Sequence, residues 1–163
     1  MLITAANELP NLAGARELAF DLETCDPQLR ELGPGARRDG TVLGLAVATE
    51  DGASWYVNLN PRGGQAHVPA AQAWAWWRAV HAAAPARPVL GAALDYDLDY
   101  ALAAGVPTPV TCRDVLHAGR LLDLQGKYPS LDELLARYLP ESGGKTGQPL
   151  WDWLATRHGG EPT

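Results

Sequence analysis

The sequence predicts an α/β fold in which helices flank a mixed sheet that begins with an antiparallel meander of three strands. The first observation behind this prediction is an apolar segment followed by a hairpin pattern. The second is the alternation of helical and strand patterns after the hairpin. The third is size and composition, because 163 residues with 47% hydrophobic and 20% charged side chains suit one core. We therefore expect a single domain over residues 1–163.

The N-terminal half contains the three strands of the meander. Residues 17–21 (Glu-Leu-Ala-Phe-Asp) form an apolar stretch that ends in acid, as in a buried strand with polar residues at its end. Residues 24–40 carry so many prolines and glycines that we predict a long loop there, without helix or strand. Residues 41–49 and 54–59 have strand patterns, and the Glu-Asp-Gly turn at 50–52 joins them into a hairpin.

Helical periodicity and short apolar runs alternate after the hairpin. The clearest helix opens with Ser130 and Glu133, which form an S/T-x-x-E capping box. Trp74 and Trp77 recur at helical spacing in an Ala-rich segment, so core packing is favoured over base stacking for them. The predicted helices are 68–84, 98–104, 115–122, 130–139 and 149–158, and the predicted strands between them are 88–93 and 110–112.

Charge and cysteine content exclude several classes of protein. The net charge of −6 argues against a broadly basic surface that coats nucleic acid, although it permits a local groove. Cys25 and Cys112 have no CxxC spacing, which argues against a structural zinc site and a disulfide framework. No apolar run has membrane-spanning length, and residues 1–4 lack the features of a secretory signal. We therefore expect a soluble cytoplasmic protein without a membrane partner.

Two carboxylates at the end of the first predicted strand are the first candidate site. Asp21 and Glu23 are two residues apart, so both side chains should point to the same face of the strand. Two neighbouring carboxylates suit Mg²⁺ or Mn²⁺, which prefer oxygen ligands. By itself this pattern also fits two solvated carboxylates at a strand end.

Several segments in order resemble the DEDD-type 3′–5′ exonucleases, most closely the proofreading domains of phage family A DNA polymerases. Asp-Leu-Glu-Thr at 21–24 is similar to their first motif, and Tyr-Asp at 96–97 is similar to the second. The loop and strand at 26–45, the segment 112–123 and the helix at 128–139 resemble the remaining parts. The resemblance extends from about residue 17 to about residue 139 and implies a ribonuclease H-like fold.

The resemblance also implies a chemistry. Two divalent ions, Mg²⁺ or Mn²⁺, would support hydrolysis of the 3′-terminal phosphodiester of single-stranded DNA during replication. Asp21 would bridge both ions, Glu23 would hold the ion that activates water, and Asp97 would hold the other. The partners would be single-stranded 3′ ends and a polymerase domain in the same or another chain. A phage-encoded protein fits this resemblance.

Further candidate residues surround these three carboxylates. In the resemblance, Thr24 and Tyr96 belong to the motifs that contact substrate. Arg37 and Arg38 lie in the loop after the first motif and are candidates for phosphate contacts.

Three neighbouring acids have alternative interpretations. Asp95 and Asp99 flank Asp97 and compete for its role. Asp114 follows a predicted strand, where the family often has an acid near the cleft. Helix N-capping is an alternative explanation for both Asp97 and Asp114.

The sequence departs from the family pattern in two places. Ala92 and Ala93 stand where the family usually has His-Asn. The third motif, on a late helix, is not found, and the Tyr-x3-Asp spacing of Tyr128 and Asp132 falls in a helix cap that we interpret as structural. The alternatives to an active metal-dependent 3′–5′ exonuclease are therefore two. One is a catalytically impaired module that binds nucleic acid or a replication protein. The other is a domain shortened before its last catalytic helix.

Overall fold

The computed structural model describes residues 1–61 and 64–140. The predicted helix at 149–158 lies outside the described residues. The strands are β1 (Leu2–Ile3), β2 (Leu18–Cys25), β3 (Thr41–Thr49), β4 (Ser54–Asn58), β5 (Val89–Gly91) and β6 (Cys112–Asp114). The α-helices are α1 (Leu29–Leu32), α2 (Ala70–Ala83), α3 (Leu94–Ala103), α4 (Val115–Leu122) and α5 (Leu131–Tyr138), and Ala6–Glu8 form a 3-10 helix.

The strands form one six-stranded mixed sheet in the order β1-β4-β3-β2-β5-β6. Strands β2, β3 and β4 are antiparallel neighbours, whereas β1 with β4, β2 with β5, and β5 with β6 are parallel pairs. The predicted mixed sheet with an antiparallel three-strand meander is therefore confirmed. The hairpin turns where predicted, because Gly52 takes a positive φ of 87° that glycine adopts without strain.

Helix α2 packs on one face of this sheet. The Trp77 ring stacks on Phe20 of β2, with 4.9 Å between ring centroids and 14° between planes. Trp74 and Trp77 are both buried, which confirms the predicted core role of these tryptophans. Half-buried Trp76 donates its indole N–H to the Pro10 carbonyl oxygen at 3.0 Å.

Strand β2 alternates between the two faces of the sheet. Leu18, Phe20 and Leu22 are buried, whereas the residues between them are exposed. We call the face that carries Ala19, Asp21 and Glu23 the outer face. The stacking of Phe20 on α2 fixes this choice, because a slip of one residue would bury the two carboxylates instead.

The chain divides into two compact units, Met1–Val115 and Leu116–Thr163. The first contains the whole sheet with α2 and α3. In the described part of the second, α5 begins at the predicted capping box, where Ser130 Oγ accepts from the Glu133 N–H at 3.2 Å. A side chain at Gly119 of α4 would meet Leu134 of α5 at 2.6 Å, so glycine permits their close approach.

The structure corrects several predicted elements. The loop at 24–40 contains the short helix α1, and the two-residue strand β1 was not predicted because it is too short to show periodicity. Helix α3 begins at Leu94 rather than at residue 98, so Asp97 lies inside the helix and the N-cap interpretation of it is wrong. Its N-cap is Ala93, which has no side-chain acceptor. None of the helices in residues 1–61 and 64–140 is long and apolar enough to cross a membrane.

Ala93 has φ 55° and ψ 43°, in the left-handed region that a Cβ atom disfavours. We expect Ala93→Gly to raise the free energy of unfolding by about 1 kcal/mol, because glycine removes that steric cost. Urea denaturation followed by circular dichroism measures this change.

The matched control is Ala75→Gly on the exposed side of α2, where the backbone is helical. There the same substitution should lower stability by about 1 kcal/mol. An equal loss of stability from the two substitutions would contradict a strained backbone at Ala93.

Candidate active site

Asp21 and Glu23 lie side by side on the outer face near the end of β2. Across the strand pair, Ala46 of β3 is opposite Asp21 and Gly44 is opposite Glu23. Neither residue places a side chain larger than a methyl group beside the carboxylates. The register shifts after Glu23, so that Leu43 becomes an extra residue on β3. Such bulges bend a strand locally and are common next to active sites.

Asp97 reaches the same place from α3. Its side chain is only 3% exposed and accepts a hydrogen bond from the Leu22 N–H of β2. Burial, followed by the negative charge of Asp21, raises the pKa of Asp97 to about 7. The charges of Asp95 and Glu23 act in the same direction. The fold thus brings a buried carboxylate from a helix within electrostatic reach of two carboxylates from a strand.

The pKa of Glu23 is also shifted by its surroundings. Burial raises the pKa of Glu23, and the negative charge of Asp21 raises it further. We call Asp21, Glu23 and Asp97 the acidic cluster.

Within residues 1–61 and 64–140, no three His, Cys, Asp or Glu side chains are close enough to ligate a single ion together. Mg²⁺ is usually held by one or two carboxylates and several waters, and the all-oxygen donors of the acidic cluster fit that mode.

The position of Asp97 depends on how α3 begins. Asp114 Oδ2 of β6 accepts from the Leu94 N–H at 2.7 Å, which satisfies a free donor in the first turn of α3. Asp114 therefore caps α3 from a neighbouring strand, which agrees with the helix-capping interpretation of this residue. A side chain at Gly91 would come within 2.9 Å of the Phe20 carbonyl oxygen, so glycine lets the start of α3 lie close to β2.

Asp26 organises the loop after β2, a role that no local pattern in the sequence indicates. Its Oδ2 accepts from the Gly35 N–H at 2.7 Å and from the Tyr100 hydroxyl at 2.8 Å. The Tyr96 hydroxyl donates to the same oxygen at 3.3 Å and shares a 2.7 Å hydrogen bond with Thr24. The Gly35 N–H, ahead of the two tyrosine hydroxyls, lowers the pKa of Asp26. We call these five residues the Asp26 network.

Two glycines make this arrangement possible. A Cβ at Gly35 would lie 2.6 Å from Asp26 Oδ1, and a Cβ at Gly40 would overlap the Tyr100 hydroxyl. The Gly40 N–H also donates to the Gly35 carbonyl oxygen at 3.0 Å, which closes the loop. The density of glycine predicted a loop here, but the contacts that require the glycines come from Asp26 for Gly35 and from Tyr100 of α3 for Gly40.

The predicted substrate contacts are placed as follows. Thr24 and Tyr96 belong to the Asp26 network. Arg38 donates to the carbonyl oxygens of Leu32 and Gly33 at 3.2 and 2.8 Å, so its guanidinium supports the loop. The more exposed Arg37 forms a 2.9 Å ion pair with Asp99 of α3.

Comparison with known proteins supports the predicted resemblance. The chain is 39% identical over 100 residues to a DNA-directed DNA polymerase of Pseudomonas phage M6. The alignment covers 60% of this chain and 15% of the polymerase. No protein-family model matches the chain. The resemblance to a phage polymerase is thereby confirmed for the aligned residues.

The fold is similar to that of solved nuclease structures. Brucella melitensis NrnC bound to pGG has a TM-score of 0.59 at 19% identity, with 86% of this chain and 61% of that chain covered. NrnC with bound Mg²⁺ has a TM-score of 0.56 at 19% identity, with 85% of this chain and 60% of that chain covered. The chain thus spans about three fifths of these structures. The predicted ribonuclease H-like fold and the resemblance to the DEDD-type exonucleases are confirmed.

Asp97→Asn should stabilise the protein in the absence of divalent ions. The amide keeps an acceptor for the Leu22 N–H and removes a buried negative charge beside two others. We expect a gain on the order of 1–3 kcal/mol in the free energy of unfolding. Urea denaturation in EDTA near pH 8 measures it. Asp95→Asn, at an exposed neighbouring position, should give a smaller gain, and an unchanged or less stable Asp97→Asn protein would contradict the repulsion.

Asp26→Asn should loosen the loop at 26–40 and lower the melting temperature. The pKa of Asp26 is lowered in the folded protein, so its carboxylate stabilises the fold above the pKa of an unfolded aspartate, about 3.9. That contribution is lost as the pH falls through the lowered value. The melting temperatures of wild type and variant should therefore differ at about pH 6, begin to approach each other below about pH 4, and converge only below the lowered pKa of Asp26.

Limited trypsin digestion tests the loop directly, since Arg37 and Arg38 lie within it. Asp26→Asn should accelerate cleavage there, whereas Asp51→Asn in the hairpin turn should leave it unchanged. Equal cleavage rates in the wild type and Asp26→Asn would refute the anchoring role.

Proposed function

We propose that this chain is a 3′–5′ exonuclease domain that hydrolyses the 3′-terminal phosphodiester of DNA with two divalent metal ions. The observation that carries the proposal is the acidic cluster. Asp97 on α3 is buried within electrostatic reach of Asp21 and Glu23 on β2. Similarity to a phage polymerase and to nuclease structures supports the assignment.

Mg²⁺ or Mn²⁺ would be held by Asp21, Glu23 and Asp97, of which Asp21 would face both ions. NrnC has been solved with bound Mg²⁺, which supports this choice of metal. Bound divalent ions lower the pKa of a water molecule and stabilise charge on the leaving 3′ oxygen. The repulsion among three carboxylates gives the folded chain a strong preference for cations at this place.

The residues of the chain have separate tasks in this proposal. Asp21 and Glu23 present carboxylate oxygens on the open outer face, where a single strand has access. Burial of the Asp97 carboxylate against β2 keeps water from screening it. Asp114 acts indirectly, because its hydrogen bond with the Leu94 N–H fixes the start of the helix that carries Asp97.

The substrate we propose is the 3′ end of single-stranded DNA. Arg37 is the better candidate for a phosphate contact, because it can exchange its exposed ion pair with Asp99 for a phosphate. Arg38, Thr24 and Tyr96 would act through the loop whose shape they maintain. We further propose a role in phage DNA replication in the host cytoplasm, with a polymerase domain in the same or another chain as partner.

A second candidate function is a module that binds nucleic acid without cleaving it. Ala92 and Ala93 favour it, because neither offers a polar side chain to substrate next to the acidic cluster. Calorimetric titration with Mn²⁺ separates the two functions. Tight binding at two sites contradicts the second function, whereas weak binding without turnover contradicts the exonuclease.

Asp21→Asn should reduce nucleotide release from a 3′-labelled single-stranded oligonucleotide by more than about 100-fold, because it removes a carboxylate that would hold the ions. Gel electrophoresis of the products with Mn²⁺ measures the rate. Asp51→Asn, the same substitution in the hairpin turn, should retain the wild-type rate. A folded wild-type protein that releases no nucleotide would refute the enzymatic assignment.

A further inference from the structure

Tyr56 of β4 lies on the same face of the sheet as the acidic cluster. The register places Asp21 of β2 opposite Ala46 of β3, and Ala46 opposite Tyr56. Side chains of directly paired residues point to the same face of a sheet. Tyr56 therefore projects from the outer face, two strands away from Asp21, with only small side chains of β3 between them.

The Tyr56 ring leans diagonally across β3 towards Glu23. It covers Gly44, because a Cβ at that position would overlap the Tyr56 hydroxyl oxygen and Cζ and would lie 2.6 Å from Cε2. Gly44 is the residue paired with Glu23. The hydroxyl thus occupies the place where a side chain of residue 44 would begin.

This placement sets the separation between the phenol and the glutamate. Cβ atoms of directly paired residues are about 4.5–5.5 Å apart. A hydroxyl at the Cβ position of residue 44 is therefore about that far from the Glu23 Cβ, within reach of groups that the Glu23 carboxylate holds. A phenol has an ordinary pKa of about 10, so the Tyr56 hydroxyl carries its proton at neutral pH and is a donor.

We propose that Tyr56 is a further catalytic residue, whose hydroxyl donates a hydrogen bond to a non-bridging oxygen of the terminal phosphodiester held beside Glu23. This inference rests on the proposed exonuclease function. In the reaction, water forms the new bond to phosphorus and releases a proton to solvent, the bond to the 3′ oxygen breaks, and that oxygen leaves with a proton from solvent. Tyr56 transfers no proton, and its donated bond strengthens as negative charge builds up on the phosphate oxygens.

The other tyrosines near the cluster have different tasks. Tyr96 and Tyr100 donate to Asp26 and hold the loop after β2. A neutral donor next to Glu23 is well suited to a phosphate oxygen, because it adds no negative charge to a place that already has three carboxylates. Gly44 serves this purpose, since any side chain there would displace the phenol.

Tyr56→Phe is the central test, because the ring stays over Gly44 and only the hydroxyl is lost. With Mg²⁺ and a labelled single-stranded oligonucleotide, we expect a kcat about 10- to 100-fold lower. KM and the melting temperature should be nearly unchanged. Tyr138→Phe, at an exposed tyrosine of α5, should retain the wild-type kcat. A wild-type kcat for Tyr56→Phe overturns the role of Tyr56 and leaves the exonuclease assignment intact.

Gly44→Ala tests the same geometry from the other side. The added methyl group displaces the phenol, so kcat should fall at least as far as in Tyr56→Phe. When Gly44→Ala is added to Tyr56→Phe, kcat should fall much less than when Gly44→Ala is introduced into the wild type, because the hydroxyl is already absent. If each substitution lowers kcat by its own factor and the two factors multiply in the double variant, the proposal is contradicted.

A spectroscopic measurement keeps this test separate from activity. In protein labelled with fluorotyrosine, Mn²⁺ should broaden the ¹⁹F signal of Tyr56, which is assigned by its disappearance in Tyr56→Phe. The broadening should be lost in Asp21→Asn. Mn²⁺ that binds by calorimetry but leaves this signal sharp overturns the placement of Tyr56. Absence of nucleotide release from folded wild-type protein, with the broadening present, overturns the proposed function and the catalytic role but not the placement.

Discussion

The burial of Asp97 against β2 is the constraint that the surrounding structure has to hold in place. A carboxylate only 3% exposed accepts from the Leu22 N–H within reach of two further carboxylates, and its pKa rises to about 7. Such an arrangement costs free energy, so it persists only where packing elsewhere holds it. The stacking of Trp77 on Phe20 fixes the orientation of β2, and the Asp114 cap fixes the start of α3.

Close approaches at glycine residues shape the surroundings of the acidic cluster. Gly91 lets α3 start next to β2, and Gly35 and Gly40 let the loop after β2 fold around Asp26 and Tyr100. Gly44 makes room for the Tyr56 phenol beside Glu23. At Gly40, Gly44 and Gly91 a side chain would meet an atom from another element of the fold, and at Gly35 it would meet Asp26 of the same loop. The acidic cluster is therefore enclosed by contacts that link β2, β3, β4 and α3.

Much of the sheet could be predicted because its pattern is local. The hairpin at 41–59 has alternating residues on either side of a turn, and it forms as expected. The start of α3 could not be predicted, since Leu-Asp-Tyr-Asp at 94–97 has no capping side chain of its own and takes its cap from Asp114, 20 residues away. Strand β1 is held by parallel pairing with β4, which no local pattern reveals. In the site, alternation along β2 identified Asp21 and Glu23, whereas Asp97 came from the family resemblance.

The sequence by itself determined that β2 carries two carboxylates on one face and that a glycine-rich loop follows. These are properties of residue order and of the two-residue period of a strand. Only the tertiary structure decided that Asp26 binds two tyrosines more than 65 residues away, and that Tyr56 covers Gly44 beside Glu23. The physical reason is that hydrogen bonding and steric fit act between atoms close in space, and the sheet register and the packing of α3 determine which atoms those are.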